Sequence, residues 1–345
     1  VDVTGDEREF ERLPDLALRS YGGAVIAAND ESFAERENLI RPGPPAFSPH
    51  TFGAKGQVYD GWETRRRREP GHDWAIVRLG LPGVIRGVVV DTAHFTGNFP
   101  PYAWVDACAA GGHPSAAELN EHAAWTTIVP ESALRGDARH AFDVAAERRF
   151  THVRLNIRPD GGVARLRVHG EPVPDPALIA GLTVDLAALE NGGAITACSD
   201  MFYSSPVNLI APGLARNQAE GWETARRRDG GNDWVTVRLA GAGVVRLAEL
   251  DTANLIHNAP SHARLTAVDA RTAAVDDPSA WFELLPRTRL QPDTRHRFRL
   301  AGDRPATHVR LDIYPDGGLA RLRLLGELTP DALDGLAARF AALNP

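Results

Sequence analysis

This chain of 345 residues is short of several residue types, and each shortage narrows what it can be. It has two cysteines, Cys108 and Cys198, too few for a disulfide scaffold or a cysteine-built metal site. A reducing, cytoplasmic setting is therefore expected. No apolar run approaches the ~18 residues of a spanning helix. The start, VDVTGDEREFERL, is acidic and lacks an apolar signal core. Neither a membrane partner nor a secretory signal is expected, and the initial Val fits a processed or trimmed terminus. Lys55 is the one lysine among 38 basic residues, which leaves 37 arginines, a bias that GC-rich coding accounts for. The net charge of −7 argues against a nucleic-acid partner.

What is present is an ordinary globular composition, with 43% apolar and 24% charged residues. The 32 Gly and 25 Pro favour many short strands joined by tight turns over a helical bundle.

The chain is written twice. DGWETRRRREPGHDWAIVRL at 60–79 returns as EGWETARRRDGGNDWVTVRL at 220–239, with 13 of 20 positions identical. DTAHFTGN at 91–98 returns as DTANLIHN at 251–258, and THVRLNIRPDGGVARLRVHGE at 151–171 returns at 307–327. GGAVIAAND at 22–30 and GGAITACSD at 192–200 are weaker mates. A period this long marks a duplicated domain, not a solenoid. The Pro-rich EPVPDPALIAGL stretch sets the expected domains at 1–175 and 176–345.

Each copy reads as β. Ala75, Val77 and Leu79 alternate with Trp74, Ile76 and Arg78. Val153, Leu155 and Ile157 are expected inward, with His152, Arg154 and Asn156 outward. Ala164, Leu166 and Val168 likewise alternate with Arg165 and Arg167. Between these two runs lies Pro159-Asp160-Gly161-Gly162, so a hairpin is expected here and in the second copy. Helix is sparse. DLALRSYGG and DLAALENGG each suggest one helical turn stopped by Gly. Thr329-Pro330-Asp331 opens a C-terminal amphipathic helix carrying Leu333, Leu336, Ala337 and Phe340. The expected class is all-β, two tandem antiparallel sandwiches with minor helix.

No GxSxG, HExxH, P-loop or post-strand GxGxxG occurs. Candidates come instead from two loop clusters. In the first, the Arg65–Arg68 run is either an anion site or a solvated basic strand edge. Glu63 and its mate Glu223 follow Trp, where an apolar neighbour raises a carboxyl pKa for acid–base work. The alternative is a structural Glu–Arg pair made in both copies. In the second cluster, His94 is the candidate titrating group, with Asp91 and Asn98 as partners; the alternative is a His satisfied at a strand end. His94 becomes Asn254 in the second copy, so an acid–base role would be confined to the first. Asp91, His94 and His72 could converge, but no spacing among the 12 His fits a metal site. No metal or other cofactor is expected.

DGWETRRRREPGHDW, RLGLPGVIRGVVVDTAHFTGNFPP and ENLIRPG (37–43) together resemble the allantoicase family over nearly the whole chain. The resemblance implies two tandem jelly-roll sandwiches akin to galactose-binding domains, assembled as a homo-oligomer. It also implies hydrolysis of allantoate to ureidoglycolate and urea in purine breakdown. The family pattern DTAHFxGNxP is intact at 91–100 and altered at 251–260, and GHDW at 71–74 becomes GNDW at 231–234. A site in the first copy, or one shared between copies or subunits, fits this best. Allantoate carries a carboxylate and two ureido groups on one carbon. Arg65 or Arg66 would hold the carboxylate, with His72 and Asn98 as further binding residues. Glu63 or His94 would supply a proton to the departing nitrogen, and Asp91 would guide water. Two other readings stand beside this one: a non-catalytic sandwich that binds a small ligand or sugar, and an enzyme acting on ureidoglycolate.

Overall fold

The structure, a computed structural model, describes residues 8–48, 50–53 and 56–344. The chain divides into two compact units at the Val173–Pro174 step. Each unit is an antiparallel jelly-roll sandwich built around one 19-residue strand, Asp73–Asp91 in the first and Asp233–Asp251 in the second. The first half of Asp73–Asp91 pairs with Ala24–Ala28 on one side and Arg149–Arg158 on the other. Tyr102–Cys108 and Thr126–Ala133 continue that layer. Its second half pairs with Arg139–Asp143 and Arg165–Pro172. One strand thus serves both layers, and the changeover lies between Arg78 and Gly83. A Cβ on Gly83 would come within 2.1 Å of the Glu171 carbonyl oxygen, so the close approach here needs glycine.

The inward alternation is as expected. Ala75, Val77, Val153, Leu155, Ile157, Leu166 and Val168 are fully buried. The outward face departs from it: His152, Asn156 and Arg165 are buried too. Asn156 donates to Asp106 Oδ2 at 3.0 Å, Arg165 pairs with Asp60 at 2.6 Å, and His152 Nδ1 lies 2.8 Å from Thr151 Oγ1. Polar residues facing away from the sandwich interior are therefore covered by loops and neighbouring side chains.

The expected hairpin is absent. Arg149–Arg158 and Arg165–Pro172 both pair with the long strand and not with each other. Their link is a crossover whose backbone groups are satisfied elsewhere. Thr64 N donates to the Gly161 oxygen (3.1 Å), Gly162 N donates to the Asn98 oxygen (2.8 Å), and Gly162–Val163 pairs with Trp62–Glu63. Gly161 has φ +142°, and a Cβ there would meet Asn98 O at 2.8 Å. The turn chemistry was legible, but it serves the 98–100 loop. The second copy repeats the arrangement with Gly318–Leu319 against Trp222–Glu223.

Both expected helical turns form, at Arg19–Tyr21 and Leu189–Asn191, each closed by a left-handed glycine. The C-terminal helix spans Pro330–Leu343. A further helix, Ala116–His122, was not anticipated; Ser115 and Glu118 form its capping box. Among the described residues no helix is long and apolar enough to cross a membrane.

Candidate functional site

Trp62 is fully buried and donates its indole N–H to the Asp30 carbonyl at 2.8 Å. This fixes the short strand Trp62–Glu63, and the Glu63 carbonyl accepts from Phe33 N and Ala34 N, each at 3.2 Å. With the backbone held on both sides, Glu63 lines a cavity of about 450 Å³ together with Arg66, Asn98, Phe33, Phe99 and Asp160. Asn98 Nδ2 donates to Glu63 Oε1 at 2.6 Å. Burial raises the Glu63 carboxyl above its usual range, and the Asn98 bond offsets part of that rise. Glu63 is therefore not one half of a Glu–Arg pair. It is an acid with an amide partner, poised to keep a proton at higher pH than a surface carboxylate.

The arginine run divides by function. Arg65 pairs with Asp30 at 2.9 Å and Arg67 with buried Asp73 at 2.7 Å. Arg66 is exposed and has no carboxylate partner among the described residues. It also lines a second cavity of about 440 Å³ with Arg65, Arg67, Arg68 and Asn29. An unpaired guanidinium at the junction of two cavities can receive a carboxylate through two parallel N–H bonds. His72 lies apart, its ring 4.7 Å from that of Trp104. Burial lowers its pKa, and Arg158 and Arg154 lower it further.

Asp91 faces a third cavity, of about 470 Å³, with Asp15, Arg139, Arg165, Arg167 and His169. Burial raises its pKa. His94 has φ +69° and is engaged with the 43–47 loop: Nε2 lies 3.3 Å from the Pro45 carbonyl, and the ring stacks on Phe47. Thus Glu63, Arg66 and Asn98 share one cavity; Asp91 lines another, and His72 and His94 are bound up in local contacts. The Asp15–Arg167–His169 group was missed. Its signal was Arg165, Arg167 and His169 at alternate positions of one strand, which places them on one face.

The comparisons with known proteins fit this architecture. The model of the allantoicase repeat matches residues 14–173 and again 184–329. The chain belongs to the allantoicase family. A probable allantoicase of Nocardia farcinica is 59% identical over 323 residues, covering 93% of this chain and 96% of the relative. The allantoicase of Dictyostelium discoideum is 43% identical over 90% of this chain and 86% of its own length. The crystal structure of the allantoicase from Saccharomyces cerevisiae superposes with a TM-score of 0.80 at 32% identity, covering 94% of this chain and 98% of that one.

Within this allantoicase-family chain the two copies treat the same acid differently. Glu223 accepts from Asn258, the mate of Asn98, and also from Gln218 Nε2 at 2.7 Å. The residue corresponding to Gln218 in the first copy is Val58, which offers no donor. Arg65, Gly97 and Phe99 become Ala225, His257 and Ala259. Asn254 keeps the left-handed backbone of His94 and donates to the Ala215 carbonyl at 3.2 Å. Among the described residues no three His, Cys, Asp or Glu side chains gather in metal-ligating geometry.

Proposed function

We propose that this chain hydrolyses allantoate to ureidoglycolate and urea, a step of purine degradation, in the first-copy cavity at Glu63. Family membership supplies the reaction. The observation that carries the location is a half-buried acid with a raised pKa, oriented by Asn98 and facing the same cavity as the unpaired Arg66.

The substrate carboxylate seats on Arg66. Asn98 holds Glu63 so that its proton points to the nitrogen of one ureido group. As that C–N bond breaks, the lone pair on the remaining ureido nitrogen forms a C=N bond to the central carbon, and the proton from Glu63 completes neutral urea. Water then adds to the C=N carbon and loses a proton to the Glu63 carboxylate, giving ureidoglycolate and restoring the acid. One water is consumed, and every proton is accounted for. General acid–base catalysis of this kind contributes ~10²–10⁴-fold. Glu63→Gln should therefore lower urea release from allantoate by ~10²–10⁴-fold. Near-normal turnover would remove Glu63 from the reaction.

A second reading places the reaction at Asp91, whose burial-raised carboxyl faces Arg139 and Arg167. Asp91→Asn tests it: loss of turnover in this variant with Glu63→Gln active would move the site. The finer expectations are also proposals. They are a cytoplasmic homo-oligomer, no nucleic-acid or membrane partner, and no bound metal. The free cysteines Cys108 and Cys198 support the reducing setting and the net charge of −7 argues against nucleic acid, while the homo-oligomer rests on family resemblance alone. Sedimentation and urea release in the presence of a chelator test assembly and metal independence.

A further inference from the structure

The outer face of the sheet is closed in one copy and open in the other. In the first, the helix Ala116–His122 seats Leu119 on Ile76 and Cys108, with Ile26, Trp74 and Trp125 packed around them. In the second, a single 3-10 turn, Pro278–Ala280, stands where that helix would be. The floor has changed to match: Ile26 becomes Thr196, Ile76 becomes Thr236, and Asp106 becomes Thr266. The result is a cavity of about 910 Å³.

Its lining is chemically specific. Thr236 and Thr266 are 6% and 7% exposed, and neither hydroxyl has a hydrogen-bond partner among the described residues. Both hydroxyls open onto the cavity, where each can donate or accept a hydrogen bond. Asp312, also buried, takes Arg310 and Asn232 on Oδ1, which leaves Oδ2 without a donor. Arg264 gives its Nε to Glu283 at 3.2 Å and keeps its two terminal nitrogens for the cavity. Arg264 stands where the first copy has Trp104. Trp281 and Trp234 supply flat walls, and Arg310 stacks on the latter at 4.3 Å.

We propose that this second-copy cavity is a binding site for a small carboxylate carrying planar amide- or ureido-type N–H donors. The carboxylate meets Arg264, the N–H groups meet Asp312 Oδ2 and the threonine hydroxyls, and the planar group lies against Trp281. A neutral sugar would satisfy the hydroxyls and the indole but leave the Arg264 guanidinium edge unmatched. The site is distinct from the Glu63 cavity, and its existence does not depend on where the reaction occurs.

The test uses the full chain and N-carbamoylglycine, a ureido carboxylate lacking the doubly substituted carbon of allantoate. The seven indole N–H signals are followed by NMR during titration, with Trp234 and Trp281 assigned through Trp→Phe variants. The expected result is a saturable shift of those two signals. Binding at this site should weaken at least ~tenfold in Thr236→Ile, which restores the first-copy residue, and in Arg264→Ala. Urea release from allantoate should stay within about twofold in both. No shift at millimolar probe, equal shifts in the variants, or a response to galactose and not to the ureide would overturn the proposal. So would a change in sedimentation of Arg264→Ala with no probe response in the parent, which would make this face a self-association surface.

Discussion

The two copies share a strand plan, a buried tryptophan and a Glu–Asn pair, yet they differ in what surrounds that pair. Glu63 has one donor, Asn98; Glu223 has two, Asn258 and Gln218. At Glu63 burial is the larger influence, and the single Asn98 bond offsets part of it. The outer sheet face is reversed: apolar and helix-covered in the first copy, hydroxyl-lined and open in the second. Duplication has preserved the scaffold and varied what surrounds it, with a half-buried acid of raised pKa in one copy and an open polar cavity in the other.

The largest test of this contrast is the Glu63→Gln variant set beside Glu223→Gln. The first should cost ~10²–10⁴-fold in urea release and the second less than about threefold, since Glu223 already behaves as a hydrogen-bond acceptor held by two amides. Equal losses would end the idea that the copies differ in role.

Next comes acid stability. Buried His152 has its pKa pushed down to about 4 from the usual 6.5, because burial penalises its charged form. Its folded pKa lies below the unfolded one, so the unfolded chain takes the proton first. The stability it contributes is full above pH 6.5 and is lost as pH falls toward 4. At ~1.4 kcal/mol per pKa unit the loss is on the order of 3 kcal/mol. Denaturant midpoints measured between pH 7 and 4 should fall less steeply in His152→Gln, and an unchanged slope would contradict this account.

A smaller effect sharpens the Glu63 comparison directly. Val58→Gln gives Glu63 the donor that Glu223 has. The extra bond should lower the Glu63 pKa, so the alkaline limb of kcat, where the acid loses its proton, should move to lower pH. An unmoved limb would mean that another group limits the reaction there. The smallest expected effect is that of His94→Asn. Asn254 already fills the equivalent left-handed position with an equivalent bond to a loop carbonyl. Urea release within about threefold of the parent is expected; a ~10²-fold loss would restore His94 as an acid.

Much of the fold was readable from residues. Val153, Leu155 and Ile157 declared the interior because a half-buried strand must alternate. The hairpin was misread because two alternating runs across a turn look alike whether they pair with each other or with a third strand. Only the long strand at 73–91, read as two partners' neighbour, resolves it. Asn156 was misplaced because its cover comes from a side chain remote in sequence, Asp106. The helix at 116–122 announced itself in Ser115 and Glu118, but its seven residues carry little periodicity. At the site, Glu63 was legible from its Trp neighbour. The Asp15 group was not, because Asp15 reaches Val168 across 153 residues of chain.

The crossover at 159–162 has one more consequence. Its amides bind Thr64 and Asn98 at once, so the segments that carry Glu63 and Asn98 hang from a single backbone knot. Arg66 and the half-exposed Phe33 stand at the rim, while the acid and its amide are tied to that knot beneath them. The second copy keeps the Glu–Asn pair and the knot while His257 and Ala259 replace Gly97 and Phe99 beside it.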